Sequence, residues 1–137
     1  MFLTKECDYG IRVIRALADG SKKTVQTISK EENIPYKFAF KIFKKLEIAS
    51  FVKSIRGRNG GYILDKPLDT FSLLDIVVAI DAGRFINDCM REDFTCAFKN
   101  HPDRPCQVHI ELGRVQSLLM SELSAKTMDE VLIRKED

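Results

Sequence analysis

The sequence predicts a mainly α-helical chain with one small β-hairpin, arranged as a winged helix-turn-helix followed by a long dimerisation helix. Three observations predict it. Apolar residues recur at helical spacing in successive segments up to residue 47. Two short β-branched and aromatic runs then flank the glycine-rich stretch Arg56-Gly57-Arg58-Asn59-Gly60-Gly61. Towards the end, Val108, Leu112, Val115, Leu119 and Leu123, with Leu118, make a sustained helical stripe.

Each element has its own signal. Leu3, Cys7, Gly10, Ile11, Ile14 and Ala18 mark a first amphipathic helix ending near Gly20. Thr24 is a suitable N-cap for a short second helix through Glu32. Asn33-Ile34-Pro35 breaks the pattern, because Asn tolerates the left-handed conformation and Pro cannot continue a helix. A third helix runs from Tyr36 to Glu47, with Ala39, Ile42, Phe43 and Leu46 facing inward. Phe51 to Ile55 and Tyr62 to Leu64 read as a hairpin, for which Asn59-Gly60 is a turn signal.

Pro67 marks a junction, so the chain divides into a winged helix over residues 1–66 and a rear part over 67–137. Ser72 with Asp75 resembles a capping pair that opens a helix through Asp81. Residues 82–107 show no sustained periodicity; so long an irregular segment in a compact protein is usually functional or disordered. The apolar stripe after it serves as a dimer element or folds back onto the winged helix. Thr127 and Glu130 make a capping box for a last short helix.

A chain of 137 residues, 45% hydrophobic and 31% charged, holds one globular core rather than two. The start, Met1 to Asp8, carries charges where a secretory signal needs an apolar core. The longest apolar run, Ile76 to Ile80, is far short of the roughly 20 residues of a membrane span. A cytoplasmic, non-membrane protein is expected, in which clustered cysteines bind metal or act in redox chemistry rather than form disulfides.

The net charge of +2 is unevenly distributed. Residues 1–66 hold 14 of the 22 basic and 7 of the 20 acidic residues, a balance of +7 against −5 in the remainder. A basic front half suits a polyanion. Lys37, Phe40, Lys41 and Lys44, flanked by Phe38 and Lys45, lie opposite the core stripe of the third helix. Lysines so placed reach phosphates and guanine edges in a major groove. Phe40 packs on a thymine methyl or is buried under a neighbour. Arg56 and Arg58 on the hairpin tip suit a minor groove or the phosphates along it. The expected partner is double-stranded DNA bearing a pseudo-palindromic operator, read by a homodimer.

Leu3-Thr4-Lys5 with Asp8-Tyr9, the Ile34 to Leu46 helix, and Ile55-Arg56-Gly57-Arg58-Asn59-Gly60-Gly61-Tyr62 resemble one group of regulators. This is the Rrf-two family, which holds the iron–sulfur cluster regulator, the nitric-oxide-sensing repressor and the cysteine-metabolism regulator. The resemblance covers nearly the whole chain, and the Arg-Gly-x-x-Gly-Gly-Tyr wing is its most specific piece. It implies a dimeric winged-helix transcription regulator, in many members carrying an iron–sulfur cluster on three cysteines. Its recognition positions correspond to Lys37, Phe38, Phe40 and Lys41, with Arg56 in the wing, and its cysteines to Cys89, Cys96 and Cys106. Phe40 replaces a polar residue of the cluster regulator, so the operator sequence is not inherited. The interval from Cys96 to Cys106 is longer than in the best-known members, which leaves 2Fe–2S, the favoured cluster, and 4Fe–4S both open.

The chemistry of the residues points the same way. Three thiolates on one loop bind iron–sulfur clusters or zinc, and the usual fourth ligand must come from elsewhere. His109, three residues after Cys106, is one candidate, since histidine replaces cysteine in some 2Fe–2S centres. Asp8 is the other, resembling the carboxylate that the nitric-oxide sensor supplies from its partner subunit. Cys7, on the Leu3-Ile11 stripe, reads as a core thiol, and His101 beside Pro102 as solvated. Structural zinc fits less well, because no Cys-x-x-Cys pair is present. A thiol switch, with Arg91 or Arg104 supplying positive charge, and a cluster-free module that docks a metabolic enzyme are the alternatives. No paired base and nucleophile and no phosphate-cradling loop suggests an enzyme.

Overall fold

The computed structural model describes residues 3–83, 85–98 and 101–133. Met1 and Phe2, part of the stretch read for a signal, lie outside the described residues, as do residues 84, 99 and 100 of the cysteine loop. The front of the chain forms α1 (Lys5–Leu17), α2 (Val25–Glu31) and α3 (Tyr36–Ile48), followed by strands β1 (Val52–Ile55) and β2 (Gly61–Leu64). Local chemistry sets the boundaries. The Thr4 hydroxyl accepts from the Cys7 amide at 3.3 Å and opens α1; Thr24 does the same for Thr27 at 3.1 Å and opens α2. Asn33 takes the left-handed conformation (φ 54°) that ends α2, as its side chain allows, and the Ser29 hydroxyl donates to the Ile34 carbonyl across that turn.

The hairpin pairs Val52 with Leu64 and Ile55 with Gly61, so residues 56–60 make the turn. The left-handed residue of this turn is Gly57 (φ 116°), rather than either member of the Asn59-Gly60 step. Gly60 is required for closeness instead: a Cβ there would lie 2.6 Å from the Ile55 carbonyl oxygen. Lys23 and Tyr62 exchange backbone hydrogen bonds of 3.0 and 2.8 Å, which seat the wing on the segment joining α1 to α2.

Beyond the hairpin come a 3₁₀ turn at Leu68–Thr70, α4 (Leu73–Ile80), a second 3₁₀ turn at Asp88–Met90, α5 (Gln107–Ser124) and α6 (Met128–Leu132). Both expected capping boxes are present, Ser72 with Asp75 on α4 and Thr127 with Glu130 on α6. The two helices start side by side: Ser72 and Thr127 form a bridge, and the Met128 amide donates to the Phe71 carbonyl at 2.8 Å.

One buried cluster draws on both sides of Pro67. It joins Leu17, Ile28, Ile42, Phe43 and Leu46 to Phe71, Ile76, Val77, Ile80 and Met128. Each such side chain contributes roughly 1.5–3 kcal/mol by leaving water. Phe51 meets Phe71 edge-on at 4.9 Å between ring centres, so the hairpin and the α4 segment share this core. By contrast α5 has no buried residue. Leu119 and Leu123 are half-buried against the core, whereas Val108, Ile110 and Leu118 are exposed. Among the described residues no helix is long and apolar enough to cross a membrane.

Candidate nucleic-acid interface and cysteine loop

The inward stripe of α3, Ala39, Ile42, Phe43 and Leu46, is fully buried, and this fixes which way the rest of the helix points. Lys37, Phe38, Phe40, Lys41 and Lys44 all lie on the exposed side. Phe40 is 53% exposed, so it does not lie beneath a neighbour. Phe38 leans on Tyr9 of α1 with 6.0 Å between ring centres. Arg56 and Arg58 are exposed on the wing turn. Among the described residues none forms an ion pair with Lys37, Lys44, Arg56 or Arg58.

Two lysines of α3 are already engaged. Lys41 donates to one oxygen of Glu6 at 2.7 Å and Lys45 to the other at 2.9 Å. The Lys41 hydrogen bond first, and the Lys45 one next, hold the Glu6 carboxyl below the usual glutamate range. Lys45 also donates to the Ile80 carbonyl at 3.0 Å. Beside the N-terminus of α3 lies an open polar hollow of about 520 Å³ lined by Gln26, Thr27, Ser29, Lys30, Asn33 and Tyr36. The sequence reading missed these residues, whose polar side chains carry no distinctive spacing.

The cysteine loop is tied to α5 at both ends. The Ile86 amide donates to Oε1 of Gln116 at 3.0 Å, and Cys106 is the N-cap of α5, its sulfur accepting from the His109 amide at 3.4 Å. Cys89 lies in the 3₁₀ turn, with Nδ2 of Asn87 3.6 Å from its sulfur, and Cys96 in the irregular stretch beyond. All three thiols are free and partly exposed. A hollow of about 460 Å³ beside Met90 is lined also by Gly83, Phe85 and Arg91 to Asp93.

The candidate ligands are not gathered at one point. Among the described residues no group of three or more His, Cys, Asp or Glu is close enough to hold a metal ion. One atom nevertheless stands out: Nδ1 of His109 is buried and has no hydrogen-bond partner among the described residues. Asp8 is taken up by Arg12, which forms an ion pair with it at 2.9 Å and also donates to the Glu32 carbonyl at 3.0 Å. Cys7 is fully buried, with the Thr4 hydroxyl 3.3 Å from its sulfur, as a core thiol should be. His101 is exposed, and its Nδ1 accepts from the amides of Asp103 and Arg104 at 3.2 and 3.1 Å.

Residues 3–134 match the model of the Rrf2 family, iron-dependent transcriptional regulators. Protein aau3 of Rhizobium meliloti (strain 1021) is 25% identical over 135 residues, spanning 96% of this chain and 85% of that protein. The fold is similar to the oxidized form of CymR from Staphylococcus aureus, with a TM-score of 0.77 at 18% identity and the whole of both chains covered. It is also similar to CymR of B. subtilis, a global cysteine regulator (TM-score 0.72, 21% identity, 96% of each chain). A third such structure is IscR of T. potens (TM-score 0.72, 18% identity, 96% of this chain and 86% of that one).

Proposed function

The chain belongs to the Rrf2 family of transcriptional regulators, and from that premise we propose that it is a homodimeric repressor whose operator binding is modulated by its cysteine loop. The observation that carries the DNA-binding half is the exposed face of α3: Lys37, Phe38, Phe40, Lys41 and Lys44 point outward beside a wing carrying Arg56 and Arg58. Phosphate contacts from Lys37, Lys44, Arg56 and Arg58 give affinity, and the ring of Phe40 gives apolar contact to a thymine methyl group. The exposed apolar residues Ile110 and Leu118, on one side of α5, supply a face for a second copy. Two copies set two recognition helices into half-sites about one helical turn apart.

For the sensing half, Cys89, Cys96 and Cys106 would hold an iron–sulfur cluster with His109 as fourth ligand, once the loop draws together thiols that this structure leaves apart. Support comes from the donor set and from the unpartnered, buried Nδ1 of His109, one helical turn from the Cys106 thiol. His109 is preferred to Asp8 because Arg12 already occupies that carboxylate. When bound, such a cluster supplies a link between the loop thiols that oxidation or nitrosylation breaks, and 2Fe–2S is the type that most readily accepts a histidine. The loop bears on α5 through Ile86–Gln116 and Cys106, so its arrangement sets the spacing of the two recognition helices. A thiol switch without a cluster is the second reading, favoured by the partial exposure of all three cysteines.

Selection of binding sequences from a pool of random duplexes tests the DNA-binding half. An inverted repeat with half-sites about one turn apart is expected. Failure to enrich any sequence with either the anaerobically prepared or the oxidised protein would overturn it. Anaerobic purification with a visible spectrum and iron and sulfide analysis tests the sensor. Visible absorption that changes on His109→Ala but not on Asp8→Ala is expected, whereas a protein that stays colourless after reconstitution leaves only the thiol switch.

A further inference from the structure

We propose that Glu6 is a specificity-determining residue that withholds the charge of Lys41 from DNA phosphates, so that Lys41 reads a base edge without adding to indiscriminate attraction. This deepens the proposed DNA-binding function and rests on it. Glu6 lies in the first turn of α1, yet its two carboxylate oxygens are each engaged by a different lysine of α3, Lys41 at 2.7 Å and Lys45 at 2.9 Å. The two lysines are not equivalent. Lys45 is the more covered (32% side-chain exposure), and its second bond to the Ile80 carbonyl ties it to the interior. Lys41 is 55% exposed and has Glu6 as its partner. An ammonium group has three donors, so Lys41 paired with Glu6 retains two for the acceptor oxygen and nitrogen of a guanine edge. The carboxylate offsets one of the two ammonium charges; with Lys45 tied to the Ile80 carbonyl, the charge it offsets on the exposed side is that of Lys41.

Binding to arbitrary DNA is almost wholly electrostatic, whereas operator binding adds base contacts. A carboxylate buttressing one reading lysine therefore penalises the wrong sites more than the right one. Lys37, Lys44, Arg56 and Arg58, which have no such counter-charge among the described residues, carry the phosphate contacts.

The test is fluorescence anisotropy with a labelled duplex of arbitrary sequence, titrated with full-length wild type, Glu6→Gln, Lys41→Gln and the double variant at several salt concentrations. Glu6→Gln is expected to bind arbitrary DNA about 3–10-fold more tightly at low salt, with the slope of log affinity against log salt steeper by about 0.9, the value of one added phosphate contact. Lys41→Gln alone is expected to leave the wild-type slope unchanged, and in the double variant to abolish the gain. An unchanged slope for a Glu6→Gln protein with native circular dichroism would overturn the proposal. So would a loss of about 0.9 in slope for Lys41→Gln alone, a surface variant that does not depend on Glu6→Gln folding. Wild type that binds no duplex at any salt would instead refute the DNA-binding reading itself.

Discussion

The ammonium of Lys45 on α3 donates at 3.0 Å to the carbonyl of Ile80, the last residue of α4. That carbonyl is one of the orphan acceptors every helix C-terminus leaves, and a lysine there also suits the negative end of the helix dipole. The bond therefore joins α3 to the root of the cysteine loop, which begins two residues later.

Lys45→Met keeps the apolar stem and removes both this bond and the one to Glu6, so its loss is compared with that of Glu6→Gln, which leaves the Ile80 bond in place. A charged hydrogen bond of this kind is worth about 1.5–3 kcal/mol when well covered, and partial exposure brings the expected loss to about 1–2 kcal/mol. Urea unfolding should show a lower midpoint at unchanged slope. No change in midpoint would mean that the Ile80 carbonyl is equally well served by water.

Gly10 on α1 faces the same residue. A Cβ at Gly10 would lie 2.8 Å from Cγ1 of Ile80, so Gly10→Ala forces the Ile80 side chain, or the helix that carries it, to shift. Overpacking of a tight core contact costs about 1–3 kcal/mol. Adding Ile80→Ala removes the clashing carbon, so the double variant should be more stable than the two separate losses predict. Simple additivity in thermal unfolding would contradict the contact.

Acidification tests the Glu6 cluster. Its carboxyl is held below the usual range by Lys41 and Lys45, so the folded state binds this proton more weakly than the unfolded chain. The stabilisation is fully present above the ordinary glutamate value of about 4.3 and is lost as pH falls through the lower folded value. Because the pairs are partly exposed, it amounts to about 1 kcal/mol or less. The stability difference between wild type and Glu6→Gln should be constant from neutral pH to about 5 and shrink below about 4. A difference that grows on acidification would reverse the sign.

Leu118 on α5 is 54% exposed. If this face meets a second copy, Leu118→Glu should halve the mass in sedimentation equilibrium with helix content unchanged. A variant that retains the wild-type mass would remove α5 from the interface.

Much of the architecture was legible because its determinants are local. Thr24, Ser72 with Asp75, and Thr127 with Glu130 act within one helical turn, so spacing alone reveals them. The turn of the wing was legible in place but not in detail, because Asn59-Gly60 is the stronger motif while the register from Ile55 to Gly61 puts the left-handed residue at Gly57. The exposed face of α3 followed from helical periodicity. The engagement of Lys41 by Glu6 did not, because 35 residues separate them and only the packing of α1 on α3 brings them together. Likewise Cys89, Cys96 and Cys106 share a loop in sequence, yet loop membership does not fix separation in space, and they are not gathered at one point.

The claim that α3 and the wing form a DNA-binding surface is tested most directly by the salt dependence of binding in single variants of the cations that have no ion pair among the described residues. Lys37→Gln, Lys44→Gln, Arg56→Gln and Arg58→Gln alter exposed residues, so each should fold normally. For those contacting phosphate, the slope of log affinity against log salt should become shallower by about 0.9 per variant, uniformly across sequences. Wild-type slopes in all four folded variants would contradict the account.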